Sequence, residues 1–286
     1  MARLNRLPGR PGYVTATFCE HARYFRPENG ARIDAVRAAI QREYAGSDLW
    51  PLLLVSLLEA ADRVDSTTGL QMAYLKEWAP RSFTPLVLRP PELVPGPGRA
   101  LRGDACRLAG TAELGPVDLA YLDPPYNQHR YEANYHVWET IVAGDEPPHY
   151  GVAAKRQDLR EPDGRSPFNS RRTMPDALRR VVAALDAELV VLSYNNESWL
   201  DFDELRDVCA PRGDVCVLAF DSPRYVGARI GIHNPAGRRV GRVSHLRNTE
   251  YVVLAGPPRR VRAMSRAVTA AGLGRTTVRP VPLVTV

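Results

Sequence analysis

The segment VDLAYLDPPY, residues 117–126, places a carboxylate, two prolines and a tyrosine directly after an apolar run. The run at 117–122 is typical of a short strand that is buried on both faces. Open α/β sheets bind ligands at the carboxyl ends of their strands, so Asp123 would lie where such a sheet performs chemistry. The residue types therefore indicate a reaction site at this corner.

The chemistry that suits these residues is methylation of the exocyclic amine of a nucleobase. That nitrogen is a poor nucleophile because its lone pair is delocalised into the ring, and two acceptors aimed at its N–H bonds would localise it. Asp123 would supply one acceptor, and a backbone carbonyl of the rigid Pro124–Pro125 turn would supply the other. Tyr126 would stack on an extruded base, which is worth roughly 1–3 kcal/mol. The alternative is that Asp123 caps a turn that the prolines merely stiffen.

The surrounding elements predict an α/β sheet with crossover helices, preceded by a mostly helical region. Helical spacing of apolar residues predicts helices in ARIDAVRAAIQREYA and DLWPLLLVSLLEAADRV. The Pro/Gly-rich connector RPPELVPGPGRA, residues 89–100, is the best candidate boundary. Beyond it, the pattern predicts strands near 99–103, 117–122, 188–194, 214–220 and 249–255, helices near 134–143, 174–187 and 198–210, and a long surface loop at 144–172.

Composition and charge limit the classes of protein to which the chain can belong. The 286 residues are 44% hydrophobic and 24% charged, and no apolar stretch is long enough to cross a bilayer. The first residues lack the apolar core of a secretory signal. The four cysteines have no CxxC spacing, which favours reduced thiols in a cytoplasmic protein and predicts no metal site. The net charge of +6 permits nucleic-acid binding, and arginine usage that reflects GC-rich coding is the alternative.

Several segments resemble the D12 class of adenine-specific DNA methyltransferases. YLDPPYNQHRYEANYHVWETI, LVVLSYNNE and NTEYVVLAG resemble the catalytic segment, the next strand and the last strand of that family, and ENGARIDAVRAAI and SLLEAADRVDSTTGLQMAYLKEW are similar to its helical region. The resemblance implies a Rossmann-like sheet, S-adenosyl-L-methionine as methyl donor and N6-methyladenine in duplex DNA as product. Asp123, Pro124 and Tyr126 would hold the base, and Pro125 would shape the turn. The implied regions are a helical recognition region at 1–97, a catalytic core at 98–257 and an arginine-rich tail at 258–286.

The resemblance also raises the question of where the methyl donor binds. Asp104, in the segment GDA, is the candidate for contact with the adenine part of S-adenosyl-L-methionine, and an ordinary cap is the equal alternative. The F-x-G-x-G turn and the first βαβ unit of the family have no counterpart in this sequence, so the sheet is expected to be N-terminally incomplete. Three explanations stay open: a true start further upstream, which is favoured, a split enzyme completed by an N-terminal polypeptide, or a degenerate remnant.

Two regions are expected to face duplex DNA. The resemblance places target recognition in residues 13–97. The loop between the last two strands carries arginines that would bind DNA phosphates, and the alternative is that these arginines are only solvated. They are Arg224, Arg229, Arg238, Arg239 and Arg242. Rival readings are methylation of ribosomal RNA adenine or of a protein amide, and a non-catalytic module that binds DNA or a partner. A cognate restriction endonuclease is a further candidate partner.

Overall fold

The computed structural model of the chain describes residues 1–67, 69–71, 73–161, 166–223, 247–271 and 278–280. The chain forms two units, each of which is described by itself. Unit 1 contains Met1–Gly98 and Arg130–Gly164, and unit 2 contains Arg99–His129 and Arg165–Val286. The division after residue 98 falls within the Pro/Gly-rich connector, and the segment 130–164 joins the N-terminal region.

Helices and strands are numbered in chain order. The longer helices are α1 (Pro27–Tyr44), α2 (Leu49–Asp62), α3 (His136–Ala143), α4 (Met174–Ala184), α5 (Phe202–Cys209) and α6 (Pro258–Ala270). The strands are β1 (Val117–Leu122), β2 (His149–Tyr150), β3 (Lys155–Arg156), β4 (Ala187–Asn195), β5 (Asp214–Pro223), β6 (Arg247–Gly256) and β7 (Val278–Pro280). Short helical turns cover Ala2–Asn5, Tyr13–Thr15, Ala16–His21, Pro80–Phe83, Ala105–Leu108, Tyr131–Asn134, Gln157–Arg160, Pro167–Asn169 and Ala210–Arg212.

The core of unit 1 lies between α1, α2 and α3. Ile33 and Ile40 recur on one face of α1 at helical spacing and are buried together with Leu57 of α2. Val137 and Ile141 of α3 belong to the same buried cluster. This shared core explains why residues 130–164, which interrupt the sequence of the sheet, fold with the N-terminal helices.

Arg37 of α1 closes the carboxyl end of α3. Its Nε donates to the carbonyl of Ile141 at 2.7 Å, and Nη2 donates to the carbonyls of Val142 at 2.9 Å and Ala143 at 3.2 Å. The last carbonyls of a helix have no partner within the helix, so one guanidinium satisfies three of them. Gly144 then ends α3 in the left-handed region, with φ 63°, a conformation that glycine adopts without a steric penalty.

Unit 2 contains a mixed five-stranded sheet in the order β1-β4-β6-β5-β7. β1 and β4 run parallel, whereas β6 is antiparallel to both β4 and β5, and β7 is antiparallel to β5. Face A of this sheet, which includes Val190 and Leu192, is covered by α4 and α5. Face B, which includes Leu189 and Leu254, is covered by α6 through Val261. The predicted strands at 188–194, 214–220 and 249–255 are confirmed within a few residues.

The prediction that β1 is buried on both faces is wrong, because β1 lies at the edge of the sheet. Within the described part of the chain, β1 pairs with β4 alone. Ala120 and Leu122 pack into the face A cluster. On face B, Val117, Leu119 and Tyr121 are 37%, 41% and 60% exposed.

Three other expectations differ from the structure. Residues 99–103 form no strand, and the chain enters the short helix Ala105–Leu108 instead. The expected loop at 144–172 contains the β2–β3 hairpin. Part of the expected tail forms α6, because its apolar residues Val261, Met264 and Val268 recur at helical spacing and pack on face B. No helix in the described ranges is long and apolar enough to cross a membrane.

Candidate functional site

The Asp-Pro-Pro-Tyr corner directly follows β1. Leu122, the last residue of β1, is in register with Leu192 of β4, so Asp123 directly follows the carboxyl end of β1, beside the last residues of the parallel strand β4. The Asp123 side chain is exposed, Pro124 is buried, and Pro125 and Tyr126 are half-buried. The corner is therefore anchored by a proline while its carboxylate remains accessible to a ligand.

Tyr126 is held by a buried partner. Its ring meets the ring of Tyr194 edge to face, with centroids 5.7 Å apart and planes at 71°. Tyr194 is fully buried near the end of β4, and burial raises the pKa of its hydroxyl to about 12. The position of Tyr126 is thus fixed by packing against the core of unit 2.

The loop after Tyr126 is fixed by a side chain from a distant part of the sequence. Asn169 donates through Nδ2 to the carbonyl of Asn127 at 3.2 Å and to the carbonyl of His129 at 3.1 Å. The backbone N–H of His129 also donates to Oδ1 of Asn127 at 2.9 Å, closing a local turn. Sequence reasoning missed Asn169, because its segment has no periodicity and was expected to be a surface loop.

Other carboxylates lie near Asp123. Glu250 of β6 is opposite Asn195 of β4, at the same end of the sheet as the corner. Burial raises the pKa of Glu250, and the charges of Glu197 and Asp123 raise it further. Asn248 donates to Oε2 of Glu197 at 2.9 Å, which holds that carboxylate in place. The local field is therefore negative and favours groups that carry or develop positive charge.

A pocket of about 570 Å³ lies where β4 ends and α5 begins. Its walls include Trp199, Phe202 and Tyr251, and the last two rings meet edge to face at 6.2 Å. A capping box between Asp201 and Glu204 fixes the start of α5 at its rim. The volume falls in the range typical of small-ligand sites, about 300–1,000 Å³. The aromatic residues after the strand were the available sequence signal, but their spacing is also that of an ordinary helix face.

Asp104 occupies a structural position. Its Oδ1 accepts a hydrogen bond from the backbone of Cys106 at 2.8 Å, which makes it the N-cap of the short helix Ala105–Leu108. Its contact with a methyl donor stays a prediction. In the parts of unit 2 that the structure describes, no glycine-containing turn directly follows β1 or β4.

The remaining predicted residues are the loop arginines. Arg224, Arg229, Arg238, Arg239 and Arg242 lie outside the described residues. Within the described ranges, no group of three or more His, Cys, Asp or Glu side chains is arranged to hold a metal ion.

The mixed α/β sheet and the corner after β1 are consistent with a methyltransferase fold. The chain matches the family model of the D12 class N6 adenine-specific DNA methyltransferases over residues 2–208, and it belongs to this family.

Named relatives agree with this assignment. The type II methyltransferase M.NlaIII of Neisseria lactamica is 32% identical over 218 residues, which cover 73% of this chain and 63% of the relative. M.CviAII of Paramecium bursaria Chlorella virus 1 is 30% identical over 75% of this chain and 64% of the relative. M.FokI of Planomicrobium okeanokoites is 29% identical over 68% of this chain and 30% of the relative. The chain thus spans less than two thirds of the length of these relatives. No solved structure is significantly similar to it.

Proposed function

We propose that the chain acts in the transfer of a methyl group from S-adenosyl-L-methionine to N6 of an adenine flipped out of duplex DNA. The observation that carries this proposal is the accessible carboxylate of Asp123 beside a Tyr126 ring that Tyr194 holds in place. Membership of an adenine-specific DNA methyltransferase family supports the same acceptor.

Each residue of the corner has a distinct role in this proposal. Asp123 accepts one N–H of the adenine amine, and the carbonyl of Pro124 accepts the other, which draws the nitrogen toward tetrahedral geometry. Tyr126 stacks on the base, and Pro125 keeps the turn rigid. The rate gain comes from positioning and from charge, because the nearby Glu250 adds to a negative field that stabilises positive charge developing on the nitrogen.

The proposals for the fold of the sheet and for the roles of the chain's regions rest on the same family membership. The sheet is proposed to be a Rossmann-like methyltransferase sheet, supported by parallel β1 and β4 and by helices on both faces. Residues 1–97 are proposed to recognise the DNA target, and 98–257 to hold the catalytic core. The arginine-rich segment 258–286 would add salt-dependent affinity. S-adenosyl-L-methionine contact by Asp104, and phosphate contact by the loop arginines between β5 and β6, remain part of the proposal.

Partners follow from the proposed reaction. Duplex DNA is the proposed substrate, and the type II methyltransferases among the relatives support a cognate restriction endonuclease as a functional partner.

Incubation with tritiated S-adenosyl-L-methionine and either duplex DNA or ribosomal RNA tests the proposal. We expect label in N6-methyladenine from DNA, and a loss of about 100-fold or more in Asp123→Asn, because an acceptor aimed at the reacting group is removed. Duplex binding by Asp123→Asn, measured separately by fluorescence anisotropy, should stay within about 2-fold of the parent, since phosphate contacts carry most of the affinity.

Asp176→Asn is the matched control, because Asp176 is an exposed acid on α4 whose partner is the surface residue Arg179. It should transfer label at the parental rate. Tritium that appears only in ribosomal RNA would show that duplex DNA is not the methyl acceptor. Undiminished transfer by Asp123→Asn would show that the role of Asp123 is wrong.

A further inference from the structure

The pocket at the start of α5 has no role in the proposed transfer reaction. We call it the Trp199 pocket, and the residues that define it are Asn196, Trp199, Asp201, Phe202, Glu204 and Tyr251. Among the described residues that line this pocket, neither Asp123 nor Tyr126 occurs. Its volume of about 570 Å³ has room for a small ligand. Unit 2 therefore contains a second candidate binding site, separate from the corner after β1.

Three aromatic rings form one wall of the Trp199 pocket. Trp199, Phe202 and Tyr251 are each half-buried, and all three pack against the face A core. The rings of Phe202 and Tyr251 also meet edge to face, with planes at 72°. Rings that a core holds on one side and that line a pocket on the other form a rigid platform for stacking. A ligand of this pocket is therefore expected to contain a flat aromatic ring.

The polar groups of the pocket favour a ring that carries an amine. Asp201 and Glu204 each use one carboxylate oxygen to accept from the other's backbone N–H at 2.9 Å, and a carboxylate has a second oxygen that can accept. The side-chain oxygen of Asn196 accepts from the backbone N–H of Thr249 at 2.9 Å, so its amide N–H groups are the donors that it offers. Acceptors beside a donor match a nucleobase edge that combines an exocyclic amine with an acceptor atom.

The charge of the lining limits how much phosphate the ligand can carry. Two acids, Asp201 and Glu204, and one arginine, Arg171, are the charged residues among the described lining. A free nucleotide with several phosphates would meet more negative than positive charge there. A base within a DNA strand brings a single phosphate, which one arginine can contact. The pocket thus suits a base in a strand better than a free nucleoside polyphosphate.

The Trp199 pocket lies close to the corner that contains Asp123. Tyr126 at the corner contacts Tyr194, and Tyr194 is in register with Tyr251, which lines the pocket. Side chains that are directly opposite in an antiparallel pair have Cβ atoms about 4.5–5.5 Å apart. The ring of Tyr194 therefore separates the two sites, and both open from face A. One DNA molecule can reach both sites.

We infer that the Trp199 pocket binds one unpaired nucleobase that has an exocyclic amine, from the same DNA that presents the target adenine at the corner. The base stacks on Trp199, its amine donates to Asp201 or Glu204, and Asn196 donates to an acceptor atom of the same base. Cytosine, adenine and guanine have such an amine, whereas thymine does not. This inference rests on the proposed function, because it takes DNA as the substrate, and it adds a second base-binding site.

Short single-stranded oligonucleotides of deoxycytidine and of deoxythymidine, with an abasic strand of the same length, test the inference without a methyl donor. Affinity is measured by fluorescence anisotropy. Occupation of the pocket is measured by quenching of Trp199, the only tryptophan of unit 2, after subtraction of the signal of Trp199→Phe. We expect the cytosine strand to quench Trp199 and to bind about 10-fold more tightly than the thymine strand. The abasic strand should leave Trp199 unquenched.

Variants of the pocket separate stacking from hydrogen bonding. Trp199→Ala should weaken binding of the cytosine strand by about 10-fold or more, and Trp199→Phe, which keeps a flat ring, by less than about 3-fold. The double variant Asp201→Asn with Glu204→Gln keeps a capping box but replaces the second acceptor of each side chain with N–H donors. It should bind the cytosine and thymine strands within about 2-fold of each other.

Tyr121→Ala is the matched control, because Tyr121 is a 60% exposed aromatic residue on face B of the same sheet. It should bind each strand like the parent. Circular dichroism should show that all variants fold.

Four results would each overturn the inference. Equal affinity for the cytosine, thymine and abasic strands would show that phosphate contacts alone hold the strand. A preference for cytosine that survives the double variant but disappears in Asp123→Asn would assign the cytosine to the corner. Quenching of Trp199 by S-adenosyl-L-methionine and not by the cytosine strand would make the donor the occupant. Resistance of Trp199 to acrylamide quenching in the isolated chain would mean that the chain itself fills the pocket.

The inference and the proposed function can fail separately. Every readout above is a binding measurement made without a methyl donor, whereas the proposed function is tested by transfer of tritium and its loss in Asp123→Asn. Loss of base discrimination at the Trp199 pocket would leave methyl transfer at the corner intact. Failure to bind any of the strands or duplex DNA would contradict both.

Discussion

His136 makes the stability of unit 1 sensitive to acid. The ring is fully buried, its Nε2 lies 2.9 Å from the carbonyl of Gln71, and its Nδ1 is buried with no hydrogen-bond partner in the described part of the chain. The pKa of His136 is lowered from 6.5 to about 4, chiefly by burial; the hydrogen bond with the Gln71 carbonyl opposes the shift, and the charges of Lys155 and Arg156 contribute to it. Protonation would place an unpaired N–H and a charge in the core.

The sign and size of the effect follow from linkage. Because the folded pKa is depressed, the unfolded chain takes up a proton first as the pH falls below about 6.5, and the free energy of unfolding decreases until the pH reaches the folded value. The full loss is about 3 kcal/mol, and about 2.5 kcal/mol of it is present by pH 4.5. Above pH 6.5 the contribution is fully present.

Urea unfolding at about pH 7 and at about pH 4.5 measures this loss. Trp199→Phe serves as the background, because the remaining tryptophans, at positions 50, 78 and 138, then report unit 1 alone. The background chain should lose about 2.5 kcal/mol more between the two pH values than His136→Phe, which has nothing to protonate at this position. His129→Gln, at an exposed histidine of unit 2, should behave like the background. Equal losses in the His136→Phe variant and the background would refute the reasoning.

Three further predictions concern single contacts. Arg37→Met should lower the free energy of unfolding of unit 1 by about 1–3 kcal/mol in urea titration, since three carbonyls at the end of α3 lose their donor; an unchanged midpoint would contradict this. Asn169→Ala should raise hydrogen exchange of the loop 127–129 by about 10-fold while the sheet amides keep their rates, and uniform rates throughout would count against the anchor. Glu250→Gln should raise the thermal midpoint of unit 2 relative to the parent, with a difference that grows as the pH rises above the ordinary carboxyl range. The raised pKa of Glu250 means that its ionised form is disfavoured in the folded state; a difference independent of pH would refute this.

The strands of the sheet could be predicted because their signal is local. A short apolar run bounded by turn residues marks β1 at 117–122 and β4 near 188–194, and the structure has strands at Val117–Leu122 and Ala187–Asn195. Such a run cannot distinguish an interior strand from an edge strand, because both are equally apolar. The exposure of Leu119 and Tyr121 depends on which strands are neighbours, and this information is not contained in the strand itself.

The candidate site also contains residues that the sequence predicted and residues that it did not. Asp123 to Tyr126 were accessible to sequence reasoning because four adjacent residues carry the pattern. The residues that support them come from elsewhere: Tyr194 from β4, Asn169 from an irregular segment and Glu250 from β6. Contacts between positions 40 or more residues apart leave no periodic trace in one sequence. For Asp104 the sequence left a ligand contact and an N-cap open as equal alternatives; the structure shows the N-cap, and the ligand contact stays a prediction.

Unit 1 is assembled from two separate stretches of chain, so the polypeptide passes from one unit to the other after residues 98, 129 and 164. Exchange of residues 1–98 alone between relatives therefore cannot transfer unit 1 as a complete folded unit. A piece that ends at residue 98 would lack Val137 and Ile141, and its remaining helices would expose the surface those side chains cover. Recombination that grafts a new helical region onto this sheet has to move both stretches together. The second stretch begins at Arg130, directly after His129. Such a graft must therefore also preserve the carbonyl of His129, which accepts a hydrogen bond from Asn169.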